Sequence, residues 1–344
     1  MSRDRTLTLR LAGLLTAGLL GLTACAGENA APSAGSTSAA GQAAGDSDRL
    51  TIDFATYNPL SLVIKEKGWL EEELKDDGVT VEWVQSAGSN KANEGLRSGS
   101  LDVGSTAGSA ALLNRANGAP IKTIVVANQP EWAALVTTAD SGITSVDDLA
   151  GHAVAATKGT DPYFFLVQSL DEAGVDPSSV TIQNLQHADG RAALENGSVD
   201  AWAGLDPIMA GAEAKGAVLF QRDPELNSYG FVNATEDFVK ESPDTAQAVA
   251  DAYEKARAWA DENPEETAAI LADVAGIDEA VASTVINERT NLDVSPVPGA
   301  DQRTVLERIG KIFVETGDVA GQDQVDDALE SLFEPSFAEK AESR

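Results

Sequence analysis

Cysteine is nearly absent from this chain of 344 residues, with Cys25 the single one. One cysteine excludes an internal disulfide framework and any metal site built on several thiolates. Histidine is almost as scarce, His152 and His187 being the two present, so an imidazole metal site has little to draw on. No metal and no cofactor is expected. Positive charge is also short: 24 Lys and Arg stand against 55 Asp and Glu, a net charge of −31. No basic stripe exists to neutralise phosphates, which argues against nucleic acid as a partner. The acidity itself suits a solvated surface that keeps a secreted protein soluble. It also means that an anionic ligand approaches against the global field, so its binding must rest on local N–H and hydroxyl donors. The signatures G-x-S-x-G, P-loop and H-E-x-x-H are missing, and no residue is assigned a catalytic role. Long apolar runs are missing too. The apolar stretch at residues 11–22, LAGLLTAGLLGL, is too short to span a bilayer comfortably.

What is present begins with Arg3, Arg5 and Arg10 ahead of that stretch, the layout of a signal peptide over residues 1–24. Leu22-Thr23-Ala24-Cys25 then resembles the bacterial lipobox: a branched apolar residue, two small residues and cysteine. The resemblance implies cleavage before Cys25 and diacylglycerol on its sulfur, with several acyl chains giving stable anchoring. It places the protein on the extracytoplasmic face of the cell membrane. Residues 25–49 are mostly Gly, Ala, Ser, Thr and Pro, a flexible tether with no capacity for a core.

From Leu50 the pattern becomes strand alternating with helix. Strands are read at 50–56, 79–84, 101–105, 121–127 and 134–138, then at 153–157, 180–185, 199–205, 217–220 and 231–234. Helices fall between most of them, and short connections between alternating elements indicate mostly parallel α/β sheets. After Thr235 the chain reads as almost wholly helical, punctuated by Pro243, Pro264, Pro296 and Pro298. The expected architecture is two α/β lobes joined by a two-segment hinge, with a helical C-terminal tail. Lobe I takes residues 50–138 and 232–344, lobe II takes 139–231, and the crossings lie near 138–142 and 227–232. The stretch Ala153–Phe165 organises the second lobe: a short apolar strand, a turn at Lys158-Gly159-Thr160-Asp161, and a helix opened by Pro162. Free backbone N–H groups and the helix dipole converge at such a junction and suit a small anion. Open α/β sheets bind ligands beyond the carboxyl ends of their strands, and two such edges facing each other make a cleft that closure buries.

Several segments carry a family resemblance. Gly99-Ser100-Leu101-Asp102-Val103-Gly104 with Ser105-Thr106-Ala107-Gly108 looks like a G-x-[IL]-D-x-G turn and its hydroxyl-rich loop. Asp147-Asp148-Leu149-Ala150-Gly151-His152-Ala153-Val154-Ala155 is similar to D-L-K-G-K-x-V-A, and Lys158-Gly159-Thr160 to K-G-[ST]. Gly197-Ser198-Val199-Asp200-Ala201-Trp202-Ala203 with Asp206-Pro207 looks like G-x-V-D-A-W-x-x-x-D-P. In this order, behind a lipobox, they resemble the ABC-transporter solute-binding proteins of the aliphatic sulfonate, nitrate and taurine group. The likeness is good over residues 50–240 and loose over the tail. It implies a type II periplasmic-binding fold, a monomer, and delivery of a solute to a membrane permease driven by a cytoplasmic ATPase. Porphobilinogen deaminase shares that fold but holds its cofactor on a cysteine, and the sole cysteine here lies outside the folded part.

The expected solute is an aliphatic sulfonate or similar organosulfur anion, with taurine, nitrate or a thiamine pyrimidine precursor as alternatives on the same fold; an extracellular enzyme is the rival from another class. A sulfonate presents three acceptor oxygens, which hydroxyls and backbone N–H groups can saturate. Ser86, Gly88, Ser89, Ser105, Thr106, Gly159 and Thr160 are the candidate donors, each equally able to cap a helix or form a turn. Lys158 either assists with charge or is solvated. Tyr57 and Asn58 end the first strand, where the family has a contributing loop. Trp132 and Trp202 either flank the carbon part of the solute or belong to the core. Asp161 sits in the donor nest and Asp206 ends another strand: either Asp161 points away, or the solute also carries a positive group.

Overall fold

The computed structural model describes residues 48–343. The signal peptide, the lipobox with Cys25 and nearly all of the tether lie outside the described residues.

The first lobe is built on β1 (Arg49–Phe54), β2 (Thr80–Gln85), β3 (Val103–Ala107) and β4 (Ile121–Asn128), connected by α1 (Pro59–Lys67), α2 (Trp69–Leu74), α3 (Ser89–Ser98) and α4 (Gly108–Ala116). The chain then crosses to β5 (Ala133–Thr138), β6 (Ala153–Ala156), β7 (Thr181–Asn184), β8 (Ala201–Leu205) and β9 (Ala217–Gln221). Here α5 (Asp161–Glu172), α6 (His187–Glu195) and α7 (Ile208–Glu213) intervene. It returns through β10 (Gly230–Thr235) and ends in α8 (Glu236–Glu241), α9 (Pro243–Glu262), α10 (Pro264–Ala275), α11 (Glu279–Thr284), α12 (Ala300–Glu315), α13 (Gln322–Ser331) and α14 (Ser336–Glu342). Within the tail expected to be helical, α11 passes directly into a π-helical turn, Val285–Arg289.

The two sheets share one layout, β2-β1-β3-β10-β4 and β7-β6-β8-β5-β9. In each, β1–β2–β3 or β6–β7–β8 pair in parallel, and the strand that arrives from the other lobe runs antiparallel in fourth place. Repeated strand–helix units produce the parallel part, because a parallel return needs a crossover that a helix supplies. The antiparallel strand is the one place where the chain enters a sheet from the far side.

One boundary differs from the expected one. The sequence reading puts residues 134–138 in lobe I, but β5 pairs with β8 and β9 in the second sheet, so the first crossing is residues 129–132 and not 138–142. Ala133–Val136 is buried throughout, and such a run fits the interior of either sheet; nothing in its alternation names its neighbours. The return crossing runs over residues 222–229, steadied by the short 3-10 turn Pro224–Leu226.

Packing joins the halves as well as filling them. The first sheet buries Ile52, Val63, Val125 and Tyr253 against α1 and α9, and the second buries Val136, Ala193, Trp202 and Met209 against α6 and α7. A larger cluster spans both lobes: Phe164 on α5 lies 4.8 Å, centroid to centroid, from Phe313 on α12. On the opposite side α11 and the π turn pack against Ala210 of α7. The helical tail thus holds the second lobe from two sides.

Candidate functional site

Each sheet aims the carboxyl ends of its parallel strands at the other, and the sequence candidates lie on the loops that leave those ends. After β1, Asn58 N–H closes a turn onto Ala55 O and Pro59 opens α1. This places the Tyr57 ring edge-to-face against Trp132, centroids 6.2 Å apart, and its hydroxyl donates to Ser105 O at 2.9 Å. Asn58 Nδ2 donates to the Tyr253 hydroxyl at 3.1 Å. At the end of β3, Ser105 donates through its N–H (2.7 Å) and Oγ (3.0 Å) to Asp53 Oδ1. Burial pushes the Asp53 carboxyl up to about 7, against hydrogen bonds from Ser86 and Ser105 that pull it down. Thr106 Oγ1 accepts from Asn233 Nδ2 at 2.8 Å. Ser89, first residue of α3, accepts the Ala107 N–H at 2.9 Å on its Oγ.

The second lobe supplies Thr160 and Asp161. Thr160 Oγ1 donates to Thr157 O at 2.6 Å and closes the turn before α5. Asp161 is buried and fully occupied. It accepts from Ser109 Oγ of the first lobe, from Trp132 Nε1 at 2.7 Å, and from Ser228 N–H at 2.8 Å and Oγ at 2.7 Å. One carboxylate therefore ties α5 to α4 and to both crossings. Burial raises its pKa above the usual carboxylate range, with the four hydrogen bonds opposing. Of the two expectations for Asp161, its being turned to protein partners is the one that the geometry matches. Asp206 ends β8 and meets a buried cation, Arg289 of the π turn, with both oxygens 3.3 Å from Nη1; Glu213 takes the other arm of the guanidinium. Burial brings Asp206 up to about 6 despite that neighbour.

Space between the lobes is divided, not open. Three narrow clefts meet at Tyr57 and Trp132, which line all of them; the first has about 10 Å³ of free space and the other two about 0 Å³. The first extends to Asp206 and Arg289, the second to Asn58, Ser105, Thr106 and Asn128, and the third to Ser89, Thr160 and Asp161. Two larger depressions, of about 360 and 370 Å³, lie away from this seam, beside Arg115 and beside Val84.

The fold thus brings together Tyr57, Asn58, Ser89, Ser105, Thr106, Trp132, Thr160, Asp161 and Asp206. It does not bring in the rest. Trp202 is core: it packs under α6, where a Cβ on Gly190 would stand 2.8 Å from its indole. Its place on β8 turns it to the face under α6, whereas its neighbours Ala201 and Ala203 join the cluster that holds α5. Lys158 is exposed, its ammonium 5.6 Å from the centroid of the Tyr163 ring, because the turn needs only its N–H, given to Asn184. Gly159 serves the turn through its left-handed φ of 75°. Ser86 sits behind the seam on Asp53 and borders an outer depression. Gly88 lies at the edge, against His187 of the second lobe.

Sequence reasoning missed Ser109, Ser228, Arg289 and His187. Ser109 had a signal, as the hydroxyl next to Gly108 in the loop already singled out. Arg289 had none: its partner Asp206 is 83 residues away. Among the described residues no three His, Cys, Asp or Glu side chains converge to hold a metal ion. The site offers hydroxyls, aromatic edges, carboxamides and charges already paired, an arrangement fit for non-covalent capture of a small solute.

The comparisons agree with this architecture. The model of the NMT1/THI5-like family matches residues 59–267. A Bacillus subtilis (strain 168) protein, described as aliphatic sulfonates-binding, is 31% identical over 242 residues, 69% of this chain and 73% of that one. In the solved structure of the alkanesulfonate-binding protein SsuA from Xanthomonas axonopodis pv. citri bound to MOPS, 97% of that chain superposes on 82% of this one, with a TM-score of 0.74 at 23% identity. The desulfurization enzyme DSZB superposes with a TM-score of 0.64 at 16% identity over 86% of this chain and 99% of that one. The shared feature in both superpositions is the two-lobed fold.

Proposed function

As the chain belongs to the NMT1/THI5-like family, we propose that it is the solute receptor of an ABC importer, capturing an aliphatic sulfonate or a similar organosulfur anion between its lobes. The observation that carries this reading is the seam at Tyr57 and Trp132, where hydroxyl-bearing loops from both sheets converge on tightly closed clefts. Ser89 is the strongest anion donor there. Its Oγ accepts from Ala107 N–H, which leaves its own proton to give. Its backbone N–H, in the first turn of the ten-residue α3, has no partner within the helix. A sulfonate can be satisfied by such donors with no unpaired cation beside it. Asp161 does not stand in the way, because four donors already surround it. The names of the relatives point to the same solute class. Trp132 and Tyr57 would flank the carbon part. The filled receptor would dock on its permease, held at the extracytoplasmic face by acyl chains on Cys25.

A thermal-shift panel of alkanesulfonates, sulfate esters, taurine, nitrate and pyrimidines tests this. A ligand at 100 times its Kd adds about 2.7 kcal/mol of stability, and a receptor returns it unchanged. Stabilisation by nitrate or a pyrimidine alone would move the solute to that class, product formation would make the protein an enzyme, and no stabilisation by any would end the receptor reading. Ser89→Ala should weaken alkanesulfonate binding by about 10- to 150-fold, since a hydrogen bond to a charged group is worth about 1.5–3 kcal/mol; calorimetry measures it. Cys25→Ala should release the protein from cell membranes, read by fractionation, and continued retention would remove the lipid anchor.

A further inference from the structure

The seam has a second feature, at its rim and apart from the three clefts. His187 opens α6 in the second lobe and is 1% exposed. Thr157 Oγ1 donates its single proton to Leu185 O at 2.7 Å, so toward His187 Nδ1, 3.2 Å away, the same oxygen acts as acceptor. Nδ1 therefore carries the ring proton and Nε2 is a bare lone pair. Nε2 is buried and has no partner, and the same holds for Asn90 Oδ1 on α3 of the first lobe. These two atoms lie 3.0 and 2.9 Å from the point a Cβ on Gly88 would occupy. Backbone of one lobe thus fits against imidazole of the other with room for hydrogen only. A half-turn of the Asn90 carboxamide exchanges its oxygen and nitrogen without changing its shape, and it turns an N–H toward the ring.

We propose that His187 is a proton-sensitive latch between the lobes: neutral, it lets the Gly88–Asn90 turn close over Nε2, and as imidazolium it holds the seam open. An imidazolium at this place would bury a full charge against the Gly88 backbone, with only the neutral Asn90 Oδ1 near it and no carboxylate to balance it. The ionisable groups on the elements around it are engaged elsewhere or exposed. On α3 Lys91 pairs with Glu94; Lys158, after β6, lies over Tyr163; on α6 Arg191 pairs with Glu195 and Asp189 faces solvent. Burial alone brings the histidine down to about 4. With the ordinary value of about 6.5 in the open form, closure releases a proton between these limits, and the closing equilibrium falls about 30-fold from about pH 7.5 to about pH 5. The device does not depend on which solute is carried.

The test uses the protein without added solute. Only His152 and His187 contribute imidazole signals, so a ¹H–¹³C titration resolves each. In the wild type His187 should titrate below the ordinary histidine value of about 6.5. In Gly88→Ala, and more fully in Gly88→Val, the added side chain props the seam and His187 should rise toward the ordinary value of about 6.5. An ordinary pKa for His187 in the wild type would overturn the latch. So would a value that remains depressed in the folded Gly88 variants, because the ring would then be buried by its own lobe. Chain folding in each variant is checked by circular dichroism.

Discussion

Asp161 shows how a side chain can sit among candidate ligand donors and serve the scaffold instead. All four of its partners donate: Ser109 Oγ, Trp132 Nε1, Ser228 N–H and Ser228 Oγ. Trp132 Nε1 and Ser228 N–H, obligate donors, share Oδ2, whereas the two hydroxyls on Oδ1 can rotate to accept. Asparagine can therefore keep its oxygen on the first pair and give its N–H groups to the second, and alanine can serve neither. Asp161→Ala should lower the stability measured by urea unfolding by about 3 kcal/mol, given about 1–3 kcal/mol for each buried polar group left unpaired, and Asp161→Asn by less. A loss under about 1 kcal/mol for alanine would mean that the carboxylate does not join the crossings. In sequence, Asp161 could be placed in the turn but not given its partners, which come from three distant segments. Trp202 illustrates the same gap. A tryptophan next to an Asp-Pro turn reads as a cleft residue, yet the strand register sends it under α6, and register depends on neighbours that the local pattern does not name.

At the level of elements, α5 is the joint between the lobes. Its Phe164 packs on Phe313 of α12, which is completely buried. Phe313→Ala should cost about 3–5 kcal/mol in denaturant unfolding, the usual loss for a large core aromatic; a loss under 1 kcal/mol would show that the contact carries little. Strand and helix positions were largely legible, because alternating apolar runs, prolines at first helical positions and glycines beyond helix ends are local signals. Pro59 and Pro243 begin helices, and Gly68 and Gly276 follow helix ends with left-handed φ of 64°. The ownership of β5 was not legible. Its residues are apolar on both faces and suit any interior position. The π turn was also hidden, since Val285–Arg289 continues the helical pattern of α11 while its hydrogen bonding shifts. That shift brings Arg289 into the buried ion pair with Asp206, the part of the seam least visible beforehand.

For the whole molecule, charge sets the terms of capture. A net charge of −31 repels an anionic solute at long range, whereas the donors that would hold it act only at contact. Stopped-flow binding of an alkanesulfonate, followed by tryptophan fluorescence, should therefore be faster at about 0.2 M salt than at about 0.01 M. A rate that falls with salt would mean that a local positive region steers the ligand. The matched layout of the sheets carries a further consequence. Leu135 in β5 is in register with Gln221, the last residue of β9, and Asn128, the last residue of β4, is in register with Gly230, the first residue of β10. The inserted half therefore leaves and rejoins its host at nearly one place, like a module on a two-pin socket. Two cuts would free it with its ends side by side, and the host's own ends would be close enough for a short splice, so chimaeras that trade one half for a relative's need no rewiring of either sheet.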